Sequence, residues 1–466
     1  MGGLNFTAGD VALATGGRLI SGSREHREQR IGGIAIDSRQ VKPGDLFIAL
    51  KGERVDGHRF VPEAVKRGAV AVLIQREVSP PGSAALLMVP DCQEALLDLA
   101  AWYRRRFPVV AVGITGSTGK TTTKEMVAAV LAQSFSVHKN TGNYNTEIGV
   151  PLTLFALRPE HEIAVLEMGM RGLGQIRRLA QVVAPRIGVI TNIGMTHLEL
   201  LGTVDNIARA KWEIVKELPP SGLAVLNGDD ERLRYLRRSF KGRVLFYGLG
   251  PDNDFRAEEI ESHKEAGITF TACTPAGTGI IKLPLPGRHN VVNALAALAV
   301  GASFGMSLPD MARGLAGMEP AAMRLNMVKN RAGVTIINDA YNANPTSMES
   351  GLVTLMELKG EARAVAVLGD MLELGPAARE AHWELGKKAA RLGIDFLVTL
   401  GEWREIVLAG ARHGGLQEEK GRAFAGKDEA AAFLKEWLRP GDFVLVKASR
   451  GMQLEQIVAE LLGQPD

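Results

Sequence analysis

The chain is predicted to be an α/β protein of three units, on three observations. Short apolar runs recur along its length, each followed by a polar, Gly- or Asn-rich turn and then by residues at helical spacing. Several runs end in a charged or hydrogen-bonding residue, at the strand ends where open parallel sheets bind ligands. Composition is that of a globular protein, with 46% hydrophobic and 23% charged residues and 53 glycines in 466. The length calls for two to four domains. The expected divisions are 1–85, a small N-terminal α/β unit; 86–314, a central parallel-sheet unit; and 315–466, a C-terminal Rossmann-like α/β unit.

A formal net charge of +3 gives no reason to invoke nucleic acid or a membrane surface. Cys92 and Cys273 form no metal or redox motif, which suits a reducing compartment. The N-terminus lacks the basic start and apolar core of a signal peptide, and the run 294–305 is too short to span a bilayer. A cytoplasmic protein is expected.

In the first unit, 31–36, 45–50 and 69–74 read as strands, and 60–67 as a helix with Val61, Ala64 and Val65 on one face. Pro80-Pro-Gly-Ser83 is a loop near the boundary. Two polar clusters follow strands: Asp37-Ser38-Arg39, and the stretch 51–58 ending Asp56-Gly57-His58. They are either solvated turns or a small-molecule site, with Arg39 suited to a phosphate or carboxylate.

The second unit holds the stretch around which the chain is organised. The strand 109–112 runs into Gly113-Ile-Thr-Gly-Ser-Thr-Gly-Lys120-Thr-Thr-Thr-Lys124, and Met126, Val127, Val130, Leu131 and Phe135 then form a helical stripe. Strand, Gly-rich turn and helix N-terminus make a phosphate cradle: backbone N–H groups and the helix dipole face the anion, Lys120 reaches the terminal phosphates, and a following hydroxyl can hold Mg²⁺. The strict pattern wants Gly where Ile114 stands. The polar loop 140–151 leads to strand 162–167, which ends in Glu167, and strand 186–191 feeds Asn192-Ile-Gly-Met-Thr-His197. Phosphate loop, Glu167 and His197 all fall at strand ends, as a nucleotide–metal site requires. In helix 205–218, Lys211 sits inside the apolar stripe of Ile207, Ala210, Ile214, Val215 and Leu218. It is either a Lys snorkelling at the core rim or a functional Lys whose charge is paired or chemically removed. Strand 223–227 and a β-rich stretch 243–283 follow, and then an Ala-rich helix in which Asn290 is a reasonable N-cap.

The third unit repeats the strand-and-turn pattern. Strand 334–338 leads into Asp339-Ala-Tyr341-Asn-Ala-Asn-Pro345, and strand 364–368 into Gly369-Asp-Met-Leu-Glu373-Leu-Gly375. Strand 395–400 ends in Gly401, and strand 442–447 leads into Ala448-Ser449-Arg450. Helical stretches intervene, so this is a second doubly wound sheet.

Over essentially its whole length the chain resembles the Mur ligases, the ATP-dependent amino-acid and peptide ligases of peptidoglycan synthesis. The resemblance is carried by Asp37-Ser38-Arg39 with Asp56-Gly57-His58, by Thr115–Thr122, and by Gly142-Asn143-Tyr144-Asn145. Glu167-Met-Gly169, Thr191-Asn-Ile-Gly-x-Thr-His197, Ala210-Lys211 and Gly287-x-His289-Asn290-x-x-Asn293 extend it. The motifs at 339–345 and 368–375 favour the members that join D-alanyl-D-alanine to UDP-N-acetylmuramoyl-tripeptide. Departures are small: 170–175 falls in a variable part of the pattern, and Asn338 stands where an acid is frequent.

The resemblance implies an acyl-phosphate mechanism and assigns residues to it. ATP would be held by Thr115, Gly116, Ser117, Thr118, Gly119, Lys120, Thr121 and Thr122, with Asn290 and Asn293 on the nucleotide. Arg324 and Asp339 would reach the phosphates and ribose, and Tyr341 the base. Two Mg²⁺ ions are implied, with Thr121, Glu167, His197 and a carbamylated Lys211 as ligands; Lys120, Glu167, His197 and Lys211 form the catalytic set. UDP-N-acetylmuramoyl-tripeptide would be gripped through Ser38, Arg39, Asn143 and Asn145, and D-alanyl-D-alanine through Ser449 and Arg450. A monomer is expected. Other readings are a different ligase of the superfamily, such as a folylpolyglutamate synthetase, a nucleotide switch, or a non-catalytic partner. The Asn-Lys-x-Asp motif of guanine-nucleotide switches is missing, and the intact set Lys120, Glu167, His197 and Lys211 argues against decay.

Overall fold

The computed structural model describes all residues except 1–3, 5, 22, 53–54, 79–81, 83, 320–322 and 464–466. Of the loop expected at Pro80–Ser83 only Gly82 is among the described residues, and Glu53 and Arg54 of the second polar cluster lie outside them. Each predicted unit contains a mainly parallel sheet. The first has five strands in the order Arg18–Ser21, Ala85–Met88, Ala71–Ile74, Asp45–Ile48 and Gly33–Ala35, with only the first of these antiparallel to its neighbour. The unit therefore runs past the expected boundary at 85: Ala85–Met88 pairs in register with Ala71–Ile74, and three of its four side chains are buried. A four-residue apolar strand with no flanking periodicity is easily taken for a linker.

The central sheet has nine strands. From one edge they are Val137–Lys139, Ile163–Glu167, Val110–Thr115, Ile187–Ile190, Leu223–Asn227, Arg243–Gly248, and then Phe255–Ser262, Ile268–Thr274 and Gly277–Leu283. The first seven run parallel, and the last three pair antiparallel among themselves as an extension. Ile163–Glu167, Ile187–Ile190 and Leu223–Asn227 are buried at every position, as expected of strands with helices on both faces. After Val110–Thr115 the chain crosses to one side of the sheet, and after Ile187–Ile190 to the other. The crevice between those two strand ends is where ligands bind in such sheets. The C-terminal sheet has six strands, all parallel except Asn326–Lys329.

The cores divide differently from the sheets. One apolar cluster runs unbroken from the first unit (Phe6, Leu46, Leu87) through helix Cys92–Arg104 into the central unit (Leu166, Ile207, Val215). Asp91 caps that helix by accepting from Gln93 N–H and Glu94 N–H, and eight of its thirteen residues are buried. The C-terminal unit has two clusters of its own, one on each face of its sheet, and neither takes residues from the rest of the chain.

Candidate active site

Strand Val110–Thr115 delivers the chain through residues 116–119 into helix Lys120–Leu131. Gly116 and Gly119 take φ of 150° and 77°. A Cβ on Gly119 would lie 2.6 Å from Asn293 Oδ1, so conformation and space both require glycine there. No side chain caps the helix, which leaves its first N–H groups for an anion. The loop is pinned from the next strand end. Asn192 Oδ1 accepts from Thr118 N–H at 3.0 Å, its Nδ2 donates to Thr118 Oγ1 at 2.6 Å, and Ser117 Oγ donates to Gly194 O.

Glu167 is 1% exposed at its strand end. Thr121 Oγ1 donates to its Oε2 at 2.7 Å and Asn145 Nδ2 to its Oε1 at 2.6 Å. Asn140 binds the backbone on both sides of Glu167, accepting from its N–H and donating to its carbonyl. The hydroxyl of Thr121 and the carboxylate of Glu167 are thus two hard oxygen donors at the end of the phosphate loop, a set that suits Mg²⁺.

Lys211 lies in helix Val204–Lys216 and is 2% exposed, so the misplaced lysine of the sequence is a buried one. Its Nζ donates to Gly116 O at 2.9 Å, and Lys120 Nζ donates to the same carbonyl at 2.9 Å. Loss of water and the neighbouring Lys120 charge push the Lys211 amine well below the ordinary lysine range. Burial also lowers Lys120, against the opposing pull of Glu167. Among the described residues no carboxylate pairs with Lys211. His197 takes a left-handed φ of 54°, and its Nδ1 lies 2.5 Å from Glu373 Oε2. The contact is an ion-pair approach of carboxylate and ring, and it holds the Glu373 carboxyl below the usual carboxylate range.

Helix Arg288–Ser303 supplies the asparagines. Its N-cap position is Gly287, so the cap expected at Asn290 is corrected: Asn290 lies inside the first turn and donates from Nδ2 to Pro286 O at 2.7 Å. Its Oδ1 accepts from Asn293 Nδ2, and Asn293 Oδ1 accepts from Thr123 Oγ1. From the C-terminal unit, the Arg324 guanidinium stacks 4.3 Å from the Tyr341 ring centre. Asp339 Oδ2 receives Lys447 Nζ at 2.5 Å. Ser449 Oγ accepts from Leu372 N–H and donates to Ala343 O, while Arg450 pairs with Glu455 at 2.7 Å.

One cleft of about 1210 Å³ gathers most of these side chains. It is lined by Ser117 to Lys120, Thr122, Asn143, Asn145, Glu167, His197, Lys211, Asn290 and Asn293 on the central side, and by Arg324, Asp339, Tyr341, Ser449 and Arg450 on the other. Thr121 lies behind this wall, 7% exposed and hydrogen-bonded to Glu167. Ser38 and Arg39 are not brought in: Ser38 Oγ donates to Glu63 Oε2 at 2.9 Å, and exposed Arg39 pairs with Asp37 at 2.7 Å. Among the described residues, Lys51 and Gly52 are what the stretch 1–85 contributes to the cleft. The sequence reading missed Lys447, although it closes an apolar strand just as Glu167 does, and it missed the anchoring roles of Asn140 and Asn192.

Models of the Mur ligase family match three stretches of the chain: its catalytic domain at 30–104, its middle domain at 114–301 and its glutamate ligase domain at 323–450. A UDP-N-acetylmuramoyl-tripeptide–D-alanyl-D-alanine ligase of Bacillus subtilis (strain 168) is 41% identical over 443 residues, covering 95% of each chain. A crystal structure of MurF from Acinetobacter baumannii is 35% identical and superposes with a TM-score of 0.90, covering 98% of this chain and 99% of that one. MurF ligase from Thermotoga maritima in complex with ADP is 30% identical, with a TM-score of 0.83 over 94% of this chain and 98% of that one.

Proposed function

The chain belongs to the Mur ligase family, and from that premise we propose that it joins D-alanyl-D-alanine to UDP-N-acetylmuramoyl-tripeptide at the expense of ATP. The observation that carries this reading is the convergence of phosphate loop, buried carboxylate and uncompensated lysine at the ends of adjacent parallel strands, facing a second sheet across one cleft. The relatives named for this reaction match over almost their whole length.

A carboxylate is a poor electrophile because its leaving group is oxide. Transfer of the ATP γ-phosphate to the tripeptide's terminal carboxylate gives an acyl phosphate and ADP. The D-alanyl-D-alanine amine then attacks that carbonyl, phosphate leaves, the nitrogen sheds a proton, and the amide remains. The chain's contribution is positioning and charge neutralisation. Lys120 and the uncapped helix N-terminus balance the β/γ-phosphate charge. Asn290 and Asn293 hold the nucleotide from one side, and Arg324, Asp339 and Tyr341 hold it from the other. Asn143 and Asn145 bind the tripeptide end, and Ser449 and Arg450 the incoming dipeptide. Ser38 and Arg39 bind uridine diphosphate on the first unit, outside the cleft that surrounds the reacting groups.

The donor set fits bound Mg²⁺ at Thr121 and Glu167, with His197 and Lys211 toward a second ion; when bound, such ions neutralise transferring phosphate oxygens. Lys211 fits that role only if its charge is removed. Burial and the Lys120 ammonium, which shares the carbonyl of Gly116, both favour the neutral amine of Lys211, and a neutral amine adds CO₂ with release of one proton to solvent. The resulting carbamate is an anionic oxygen ligand where an ammonium would oppose the ions.

Phosphate release tests the reading. With ATP and D-alanyl-D-alanine, release is expected on adding UDP-N-acetylmuramoyl-tripeptide and not on adding the dipeptide or monopeptide forms. Silence with the tripeptide and turnover with another acceptor would move the chain to a different ligase of the family.

A further inference from the structure

We propose that Glu373 is a positioning residue: it latches the C-terminal unit onto the central unit and, in the same contact, fixes the ring of His197. The first and central units share a continuous apolar core; Leu315 and Met318 still pack with the central unit, but from Leu325 onward the C-terminal unit shares no apolar cluster with them. Its seating on the central unit therefore depends on contacts other than a common core. Among the described residues, the hydrogen bonds and ion pairs that cross this interface all land on Glu373. Its Oε2 meets His197 Nδ1 at 2.5 Å, its Oε1 lies 3.8 Å from Arg171 Nε, and its carbonyl accepts from Glu199 N–H at 3.1 Å.

The backbone on both sides is set for this contact. Glu373 and His197 both hold left-handed φ, 63° and 54°, a conformation that non-glycine residues adopt only when their surroundings enforce it. Gly375, at φ 54°, seats the loop so closely that a Cβ there would lie 3.0 Å from Glu199 Cα. The carboxylate occupies the Nδ1 side of the ring, which leaves Nε2 as the nitrogen free for a phosphate or an ion. Closure and the orientation of His197 are then one event. A side chain from the unit carrying Arg324, Asp339 and Tyr341 completes a group that belongs to the phosphate-loop sheet. The ligase reading enters only in the activity arm of the test.

Small-angle X-ray scattering of the full chain, with and without a non-hydrolysable ATP analogue, compares wild type with Glu373→Ala and Glu373→Gln. Glu373→Ala is expected to have a larger radius of gyration than wild type at saturating analogue, with Glu373→Gln between them. Its kcat should fall about 10- to 100-fold, while KM for UDP-N-acetylmuramoyl-tripeptide stays within about twofold. Superimposable scattering curves in both states overturn the proposal, as does expansion without loss of kcat. If the alanine variant melts early, the glutamine variant, of equal size, carries the same comparison. Scattering needs no turnover, so a wrong substrate assignment silences the kinetic arm and leaves the compaction arm to decide.

Discussion

Two lysines are buried equally on opposite sides of the cleft, and their surroundings are opposite. Lys211 and Lys447 are each 2% exposed. Lys447 ends a strand of the C-terminal sheet, with Asp339 Oδ2 at 2.5 Å and Asn342 O at 3.1 Å. Lys211 lies within a helix, hydrogen-bonds only to Gly116 O among the described residues, and has Lys120 as its charged neighbour. A buried ammonium with a carboxylate is a satisfied ion pair, costly to break from one side. A buried amine beside a like charge favours its neutral, nucleophilic form. Burial alone therefore does not separate the two lysines; the presence of a counter-charge does.

Substitution by methionine should split the pair most sharply. Lys211→Met is expected to reduce turnover by about 10²- to 10³-fold, the scale of losing an electrostatic group aimed at the reacting phosphate. Its urea midpoint should stay level or rise, because an apolar side chain of similar length replaces an uncompensated amine. Lys447→Met should do the reverse on stability, costing about 3 kcal/mol by stranding the Asp339 carboxylate. If Lys211→Met proves the less stable of the two, Lys211 is a structural cation and the contrast fails.

A smaller effect checks the chemistry directly. With ¹³C-labelled bicarbonate, wild type and Lys447→Met should both show a protein carbamate resonance, and Lys211→Met should lose it. A resonance that survives in Lys211→Met would assign the carbamate elsewhere.

The contrast also shows what is legible in the sequence alone. The phosphate loop, the ends of the parallel strands and Lys211 on its apolar helix face could all be read, because they rest on local spacing and on one residue that violates its pattern. Glu167 was found as a charge ending an apolar strand. Lys447 ends a strand in the same way, but its partner Asp339 is 108 residues away in sequence, and nothing local announces the pairing. Ser38 and Arg39 were legible as a polar cluster but not as lying outside the cleft, since unit orientation is set by the shared core around helix Cys92–Arg104. The strand Ala85–Met88 was cut by the boundary at 85 because its evidence is its register with Ala71–Ile74. Glu373 lies within the motif 368–375, but its contacts with His197 and Arg171 come from another unit altogether.

His289 offers the finest test, because it feels both members of the C-terminal pair. Burial pulls it down to about 4, the Asp339 charge works against that fall, and the Lys447 charge adds to it. In the unfolded chain it titrates near the ordinary 6.5. As pH falls below that value the unfolded state takes up the proton first, so stability is lost between about 6.5 and 4 and levels off below. A depression of this size corresponds to about 3 kcal/mol at most. Unfolding midpoints across that window should fall less steeply for His289→Gln than for wild type. Lys447→Met should also flatten the slope, since removing the lysine leaves Asp339 to favour the imidazolium. Histidine ring resonances followed by NMR should then show His289 titrating higher in Lys447→Met and unmoved in Lys211→Met. An equal rise in both variants would mean that the two lysines act on the cleft as one field.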